Sequence, residues 1–226
     1  MAQKPKRERR EREKKKPEEI EWIPKTVLGK KVKSGEIATM KEAMESKLPL
    51  IEPAIIDYLL RDLEEKMVDF KKTTKVRRAG RQFSFRATVI IGDKNEFIGI
   101  GTGKHKEKWP AIRKATRRAK LNLIRVRKGC GSWECTCGTG HSIPFKVTGS
   151  CGAVKINLLP APKGTGLVVG NNIKDVFNFV GIKDVWSKTR GATDTKLNFI
   201  RATIDALSQT TSMKVSEEIK KKISKW

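Results

Sequence analysis

Acidic side chains are scarce in this chain. Its 25 Asp+Glu stand against 50 Lys+Arg, a formal net charge of +25 at pH 7. Such self-repulsion disfavours a compact protein unless a polyanion cancels it, and nucleic acid is the first candidate. Aromatic residues are also few, at 6%, and only 37% of the 226 residues are hydrophobic, so a small core lies beneath a charged surface. No apolar run approaches the roughly 20 residues that span a bilayer, so no membrane partner is expected. The start, "MAQKPKRERREREKKKPEE", lacks the apolar h-region of an export signal, and a cytoplasmic protein is expected.

Catalytic constellations are missing as well. No pair of carboxylates and no Ser/His/Asp set stands out, so no enzyme is expected. "IGIGTGKH" superficially resembles a phosphate loop, but Ile98 stands where the first Walker glycine is required and His105 replaces the Ser/Thr. A dinucleotide fingerprint fails too, since its third glycine falls on Lys104. A nucleotide-using enzyme therefore has no motif behind it.

What is present reads as two α+β units. Residues 1–20 carry dense charge and almost no apolar side chains, the composition of an arm that orders only on a phosphate surface. Two helical segments are expected between Thr39 and Glu65, broken near "LPLIEP". The second has Ile55, Ile56, Leu59, Leu60 and Leu63 at helical spacing. "KMVDFKKTTK" reads as a strand. "GRQFSFRATVII", "GDKN" and "EFIGIG" then read as strand, turn and strand. Phe83, Phe85, Ala87, Val89 and Ile91 alternate with more polar neighbours, as in a half-buried strand, so both phenylalanines are expected in the core rather than as base-stacking platforms. A helix follows with Pro110 in its first turn; Ile112, Ala115, Ala119 and Leu123 are expected on its inner face. The order α-β-β-β-α is that of a double-stranded-RNA-binding-like module.

Beyond Lys128, "FKVTG", "AVKINLLPAP" and "IKDVWSKTRG" read as strands. "NNIKDVFNFVG" and "TKLNFIRATIDALS" read as helices, with Gly181 stopping the first. The chain thus divides into a basic N-terminal extension (1–38), an RNA-binding-like domain with its preceding helices (39–128), a second domain (129–211) and a charged tail (212–226).

The cations are clustered. Residues 71–81 hold six Lys/Arg and no acid, and residues 104–128 hold eleven with only Glu107 against them. A solvated face normally mixes signs, so phosphate contact explains these stretches better. Candidate RNA-binding residues are Lys71, Lys72, Lys75, Arg77, Arg78, Gly80 and Arg81 in the first stretch. In the second they are Lys104, Lys106, Arg113, Lys114, Arg117, Arg118, Arg127 and Lys128. Arginine suits bidentate phosphate contact, and Gly80 lets the backbone come close to a sugar–phosphate chain.

"GCGSWECTCGTGH", residues 129–141, gathers three of the four cysteines and one of the two histidines. Cys130, Cys135, Cys137 and His141 form a Cys3His set suited to one tetrahedral Zn2+ ion, with Cys151 a spare. The spacing is not the usual pair of C-x2-C knuckles, so an unliganded thiol-lined turn and a disulfide stay open beside the zinc reading.

"GRQFSFRATVIIGDKNEFIGIGTGKHKEKWPAIRKA" closely resembles the signature of the universal small-subunit ribosomal protein family numbered five. A glycine-aromatic strand, a Gly-Asp turn, a Gly-x-Gly strand end and a Pro-Ala-Ile helix start follow in the same order. "PAPKGTGLVVGNNIKDVFNFVGIKDVWSKTRGATDTKLNFIRATIDAL" resembles the family's C-terminal domain, and "GHSIPFKVTGSCGAV" is similar to its archaeal and eukaryotic branch. The lean Lys/Glu-rich tails suit an archaeal member. The resemblance implies an α+β fold, a double-stranded-RNA-binding-like domain followed by a domain with a left-handed βαβ crossover. It implies a structural constituent of the small ribosomal subunit that binds its rRNA and supports translational accuracy. Implied partners are the small-subunit proteins numbered four and eight, and mRNA where it enters the subunit. Lys188, Arg190 and Lys196 fall in the stretch that the resemblance assigns to a protein interface. The alternative is a free-standing double-stranded-RNA-binding regulator with a zinc element.

Overall fold

The computed structural model describes residues 22–46 and 48–213. The expectations for residues 1–20 and for a charged helix or tail after residue 213 lie outside these. Three short helices come first: α1 (Val27–Lys33), α2 (Met40–Glu45) and α3 (Pro53–Leu59). Local chemistry starts each one. Thr26 accepts from the Gly29 amide at α1, Thr39 and Glu42 form a reciprocal capping box at α2, and Pro53 occupies the first turn of α3. Leu28, Val32, Met40, Ile55 and Ile56 close a small apolar layer with Phe97 and Leu123. Two corrections follow. Helix α1 lies inside the stretch read as a basic extension, because Leu28 and Val32, one turn apart, supply a buried face there. Helix α3 stops at Leu59, and Leu63 packs from the following segment rather than from the helix.

The first sheet is antiparallel, in the order β1 (Glu64–Arg77), β2 (Gly80–Gly92), β3 (Phe97–His105), β4 (Leu123–Arg125). Helix α4 (Lys108–Leu121) crosses one of its faces. Ala111, Ala115 and Ala119 are its buried residues; Ile112 is only partly buried, and Leu123 belongs to β4. These alanines meet Ala87, Val89 and Ile91. Strand β2 was expected to be buried on one side only. Thr88 and Ile90, on its other side, are also fully buried, because a helix of the second half packs there. Burial on both faces turns an alternating strand into a continuous buried run.

That second half is a sheet in the order β5 (Val147–Cys151), β6 (Val154–Pro160), β8 (Val185–Arg190), β7 (Leu167–Val168). Strands β7 and β8 run parallel, joined through α5 (Asn171–Val180) in a βαβ unit. The two-residue β7 is too short for periodicity to reveal. Helix α6 (Lys196–Ser208) covers β5 and β6, and α5 packs against α6 and reaches β2 and β3. Gly181 ends α5 in the left-handed region at φ 79°, as expected of a glycine stop. The main core therefore runs from Ile90 and Ile98 of the first sheet through Phe177 and Val180 to Ile156 and Leu158 of the second.

Candidate nucleic-acid interface and metal centre

Strands β1 and β2 pair from Glu64↔Gly92 out to Arg77↔Gly80, whereas β3 joins β2 only from Phe85 to Gly92. The distal half of the hairpin therefore projects past the sheet as a two-stranded arm. Its register sorts the cations. Lys71, Lys75 and Arg77 share one face with Arg86, while Lys72 and Arg81 share the other with Phe83 and Phe85. Arg78 sits in the turn, and Gly80 follows it at φ 118°. All seven predicted residues of this stretch are exposed.

The second stretch begins where the arm leaves the sheet. Arg86 is paired with Lys104, and Phe85 with His105. His105 keeps its ring on the local backbone, with Nδ1 accepting from the Glu107 amide at 3.1 Å. Lys106 follows, and α4 presents Arg113, Lys114, Arg117 and Arg118 to solvent, opposite its alanine stripe. Arg118 also donates to the Thr102 carbonyl at 2.9 Å. The two cationic stretches thus meet at the base of the arm.

The end of the second stretch turns away. Lys128 is half-buried, and desolvation lowers its pKa although Asp93 and Glu96 favour its charged form. Arg127 is only partly exposed, its amide donating to the Thr210 hydroxyl. These two residues sit at the junction with the second half. Glu96 itself would be raised by burial, but Lys41 and Arg125 outweigh that and hold it below the usual carboxylate range. Lys188 and Arg190 line a shallow concavity of about 510 Å³ on the second sheet together with Lys155, which sequence reasoning missed. Lys196 lies apart, exposed at the start of α6.

The cysteine loop is closed at its neck by an antiparallel bridge, Gly129 and Ser142 exchanging two backbone hydrogen bonds of 2.9 Å. This closure gathers Cys130, Cys135, Cys137 and His141 so that their ligand atoms all lie within 4.8 Å of one another. No disulfide joins these cysteines, and Cys151 packs against the main core instead. Cys135 Sγ stands 3.7 Å from His141 Nε2, and His141 Nδ1 is 2.8 Å from Asp184 Oδ2. The other oxygen of Asp184 accepts from the Gly164 and Gly166 amides. The carboxylate keeps the imidazole proton on Nδ1 and turns the Nε2 lone pair toward the thiols, the arrangement that orients metal-ligating histidines. The hydrogen bond with the Thr139 hydroxyl pulls the Cys137 thiol down to about 6, while burial pushes Cys130 up to about 11. Three soft sulfurs and one imidazole at this spacing fit a tetrahedral metal ion. Asp184, 43 residues from His141 in sequence, had no local signal to mark it.

Comparison with known proteins fits both halves. The family model for the ribosomal protein S5 N-terminal domain matches residues 63–127, and that for the ribosomal protein S5 C-terminal domain matches residues 149–222. The chain is 51% identical to the small ribosomal subunit protein uS5 of Methanocaldococcus jannaschii over 203 residues, covering 90% of this chain and 94% of that protein. It is 48% identical to the uS5 of Methanobrevibacter smithii over 203 residues, covering 90% and 95%. To that of Staphylothermus marinus it is 51% identical over 189 residues, covering 84% and 88%.

Proposed function

The chain belongs to the ribosomal protein S5 family, archaeal type, and from that premise we propose how it holds its RNA and what its cysteine loop carries. It is a structural constituent of the small ribosomal subunit, bound to the ribosome, and not an enzyme. The free-standing regulatory reading has no support, because both halves match one ribosomal family.

The arm and the outward face of α4 seat folded small-subunit rRNA. The observation that carries this is the meeting of the two cationic stretches at the base of the arm, where Arg86 of β2 pairs with Lys104 of β3 and Lys72 and Arg81 share the sheet face that α4 covers. Lys71, Lys72, Lys75, Arg77, Arg78 and Arg81 grip phosphates along the arm. Lys104, Lys106, Arg113, Lys114, Arg117 and Arg118 continue the track. Lys128 serves the junction between the two halves. The family resemblance supports a place near the mRNA entrance and a part in decoding accuracy. Lys155, Lys188 and Arg190 form a candidate contact for a neighbouring subunit protein, those numbered four and eight being the expected ones.

Filter binding of the full chain to small-subunit rRNA against salt tests the RNA surface. Replacing Arg77, Arg78 and Arg81 by alanine is expected to flatten the log–log salt slope by roughly 2–3, at about 0.7–0.9 per lost phosphate contact. Replacing Lys128 by methionine should leave the slope as it is. An unchanged slope in the triple variant overturns this surface.

Cys130, Cys135, Cys137 and His141 hold one Zn2+ ion, which ties the loop together as a structural cross-link. A bound ion also keeps the thiols deprotonated, including the one that burial disfavours. Native mass spectrometry is expected to show the chain plus one zinc ion. An apo mass with four freely alkylatable thiols overturns the assignment.

A further inference from the structure

Most of the α4-side face of the first sheet is sealed by alanine against backbone, but α4 begins only at Lys108. Beyond its first turn the same face of the β1–β2 arm continues uncovered. By register it carries Lys72 and Val76 on β1, opposite Phe85 and Arg81, with Phe83 between those two on β2. Phe85 is stabilised from within, its ring stacked on Phe70 at 5.4 Å between centroids and 13° between planes. Phe83 is not: it is 47% exposed, and among the described residues the partner over its ring face is the Lys72 ammonium, 3.8 Å from the ring centroid. This corrects the expectation that its alternation places it in the core, because the alternating face outruns the helix that would bury it. A second large exposed ring lies in the helix that begins beside this face. Trp109 is 71% exposed in the first turn of α4, and its neighbour Lys108 reaches to 5.4 Å from the Phe70 ring.

Two open aromatic rings among lysines and arginines are costly in water and gain nothing from an A-form duplex, whose bases are already stacked and whose contacts are phosphates and 2′-hydroxyls. They match an unpaired nucleotide, with a base on the ring and cations on the flanking phosphates. We propose that this uncovered face of the arm and the adjoining first turn of α4 bind unpaired nucleotides of RNA, with Phe83 on the arm and Trp109 on the helix as base-stacking platforms. The proposal rests on the RNA-binding reading above and adds the strand state of the RNA that this face takes. A base stacks on the ring face left free by Lys72, or displaces that ammonium, which then pairs with a phosphate. The local charge suits this partner: Lys72, Arg81, Lys106 and Lys108 stand against Glu107 alone in the same stretches.

The test uses the full chain and two probes, a 12-nucleotide oligo(A) carrying one 2-aminopurine and a blunt 16-base-pair RNA duplex. Phe83→Ala and Trp109→Ala are each expected to weaken oligo(A) binding roughly 5- to 150-fold, as base–aromatic stacking does, and to leave the salt slope unchanged. Trp109→Phe should restore binding, and the 2-aminopurine quench should disappear in the alanine variants. Duplex affinity should move less than about twofold. Both rings are exposed, so the variants fold, and circular dichroism checks that they do. Oligo(A) affinity equal to wild type in both variants overturns the proposal, as does an equal loss on the duplex. A protein-docking face would show as poor incorporation into subunits with oligo(A) binding intact, which also overturns it. If the wild-type chain binds neither probe nor rRNA, the RNA-binding reading falls and takes this inference with it.

Discussion

Replacing Gly101 by alanine is expected to lower the melting temperature of the isolated protein by roughly 6–12 °C. Gly99, Gly101 and Gly103 alternate on β3 and face α4, whose inner stripe is Ala111, Ala115 and Ala119. A methyl group on Gly101 would lie 2.0 Å from the Ala115 carbonyl oxygen and 2.3 Å from the Ala119 amide nitrogen. Both are backbone atoms, so no rotamer change relieves the overlap, and the whole helix must lift off the sheet. Overpacking of a core costs typically 1–3 kcal/mol, and a clash with backbone on two turns falls at the upper end. About 3 kcal/mol converts to the stated shift at 2–4 °C per kcal/mol for a chain of this size. Differential scanning calorimetry measures it. Shrinking Ala119 to glycine in the same chain should not rescue stability, because the side chain is not what is struck. A Gly101→Ala protein melting within a degree of wild type would show that α4 does not sit on this strand. The same glycines explain why "IGIGTGKH" resembles a phosphate loop and is not one: they admit a helix backbone rather than a phosphate.

Asp184→Asn is expected to weaken metal binding by roughly 10- to 100-fold, the usual cost of losing a partner behind a histidine ligand. The carboxylate is 4% exposed and acts only as an acceptor, taking His141 Nδ1–H on one oxygen and the Gly164 and Gly166 amides on the other. Asparagine of the same shape must aim its NH2 at one of these two sets of donors. Turned toward His141 it releases the tautomer; turned toward the glycines it leaves two buried amides unpaired, at about 1–3 kcal/mol each. Competition with a chelator reads the affinity, and hydrogen exchange at Gly164 and Gly166 reads the loop. Asp175→Asn, at the exposed pair with Lys66, is the control and should leave both unchanged. Metal affinity equal to wild type in Asp184→Asn would overturn the orienting role, whereas a wild-type chain without metal would overturn the zinc reading itself.

The legible parts of this protein share a physical origin. Strands β1 to β3 and helix α4 follow from alternation, a Gly-Asp turn and a proline in the first helical turn, all readable within a few residues. The thirteen-residue Cys/His stretch was legible because all four candidate ligands lie inside it. Phe83 was misjudged because alternation reports which face a side chain takes, not whether anything covers that face. That Lys128 is half-buried while the cations from Lys71 to Arg81 stand exposed was not legible, because charge along a sequence carries no direction. Asp184 and Lys155 were missed because their meaning lies in partners far along the chain: His141 for the one, Lys188 and Arg190 for the other.

Composition and local pattern alone determined that this protein would be a basic, small-cored α+β chain built to meet a polyanion, since net charge and periodicity are properties of neighbours in sequence. Tertiary structure decided the rest. It set how far the arm projects past β3, which cations share a face with exposed rings, and which carboxylate stands behind the histidine. Each of those depends on where a strand loses its pairing partner or a helix begins to cover a sheet, and such distances exist only once the chain has folded back on itself.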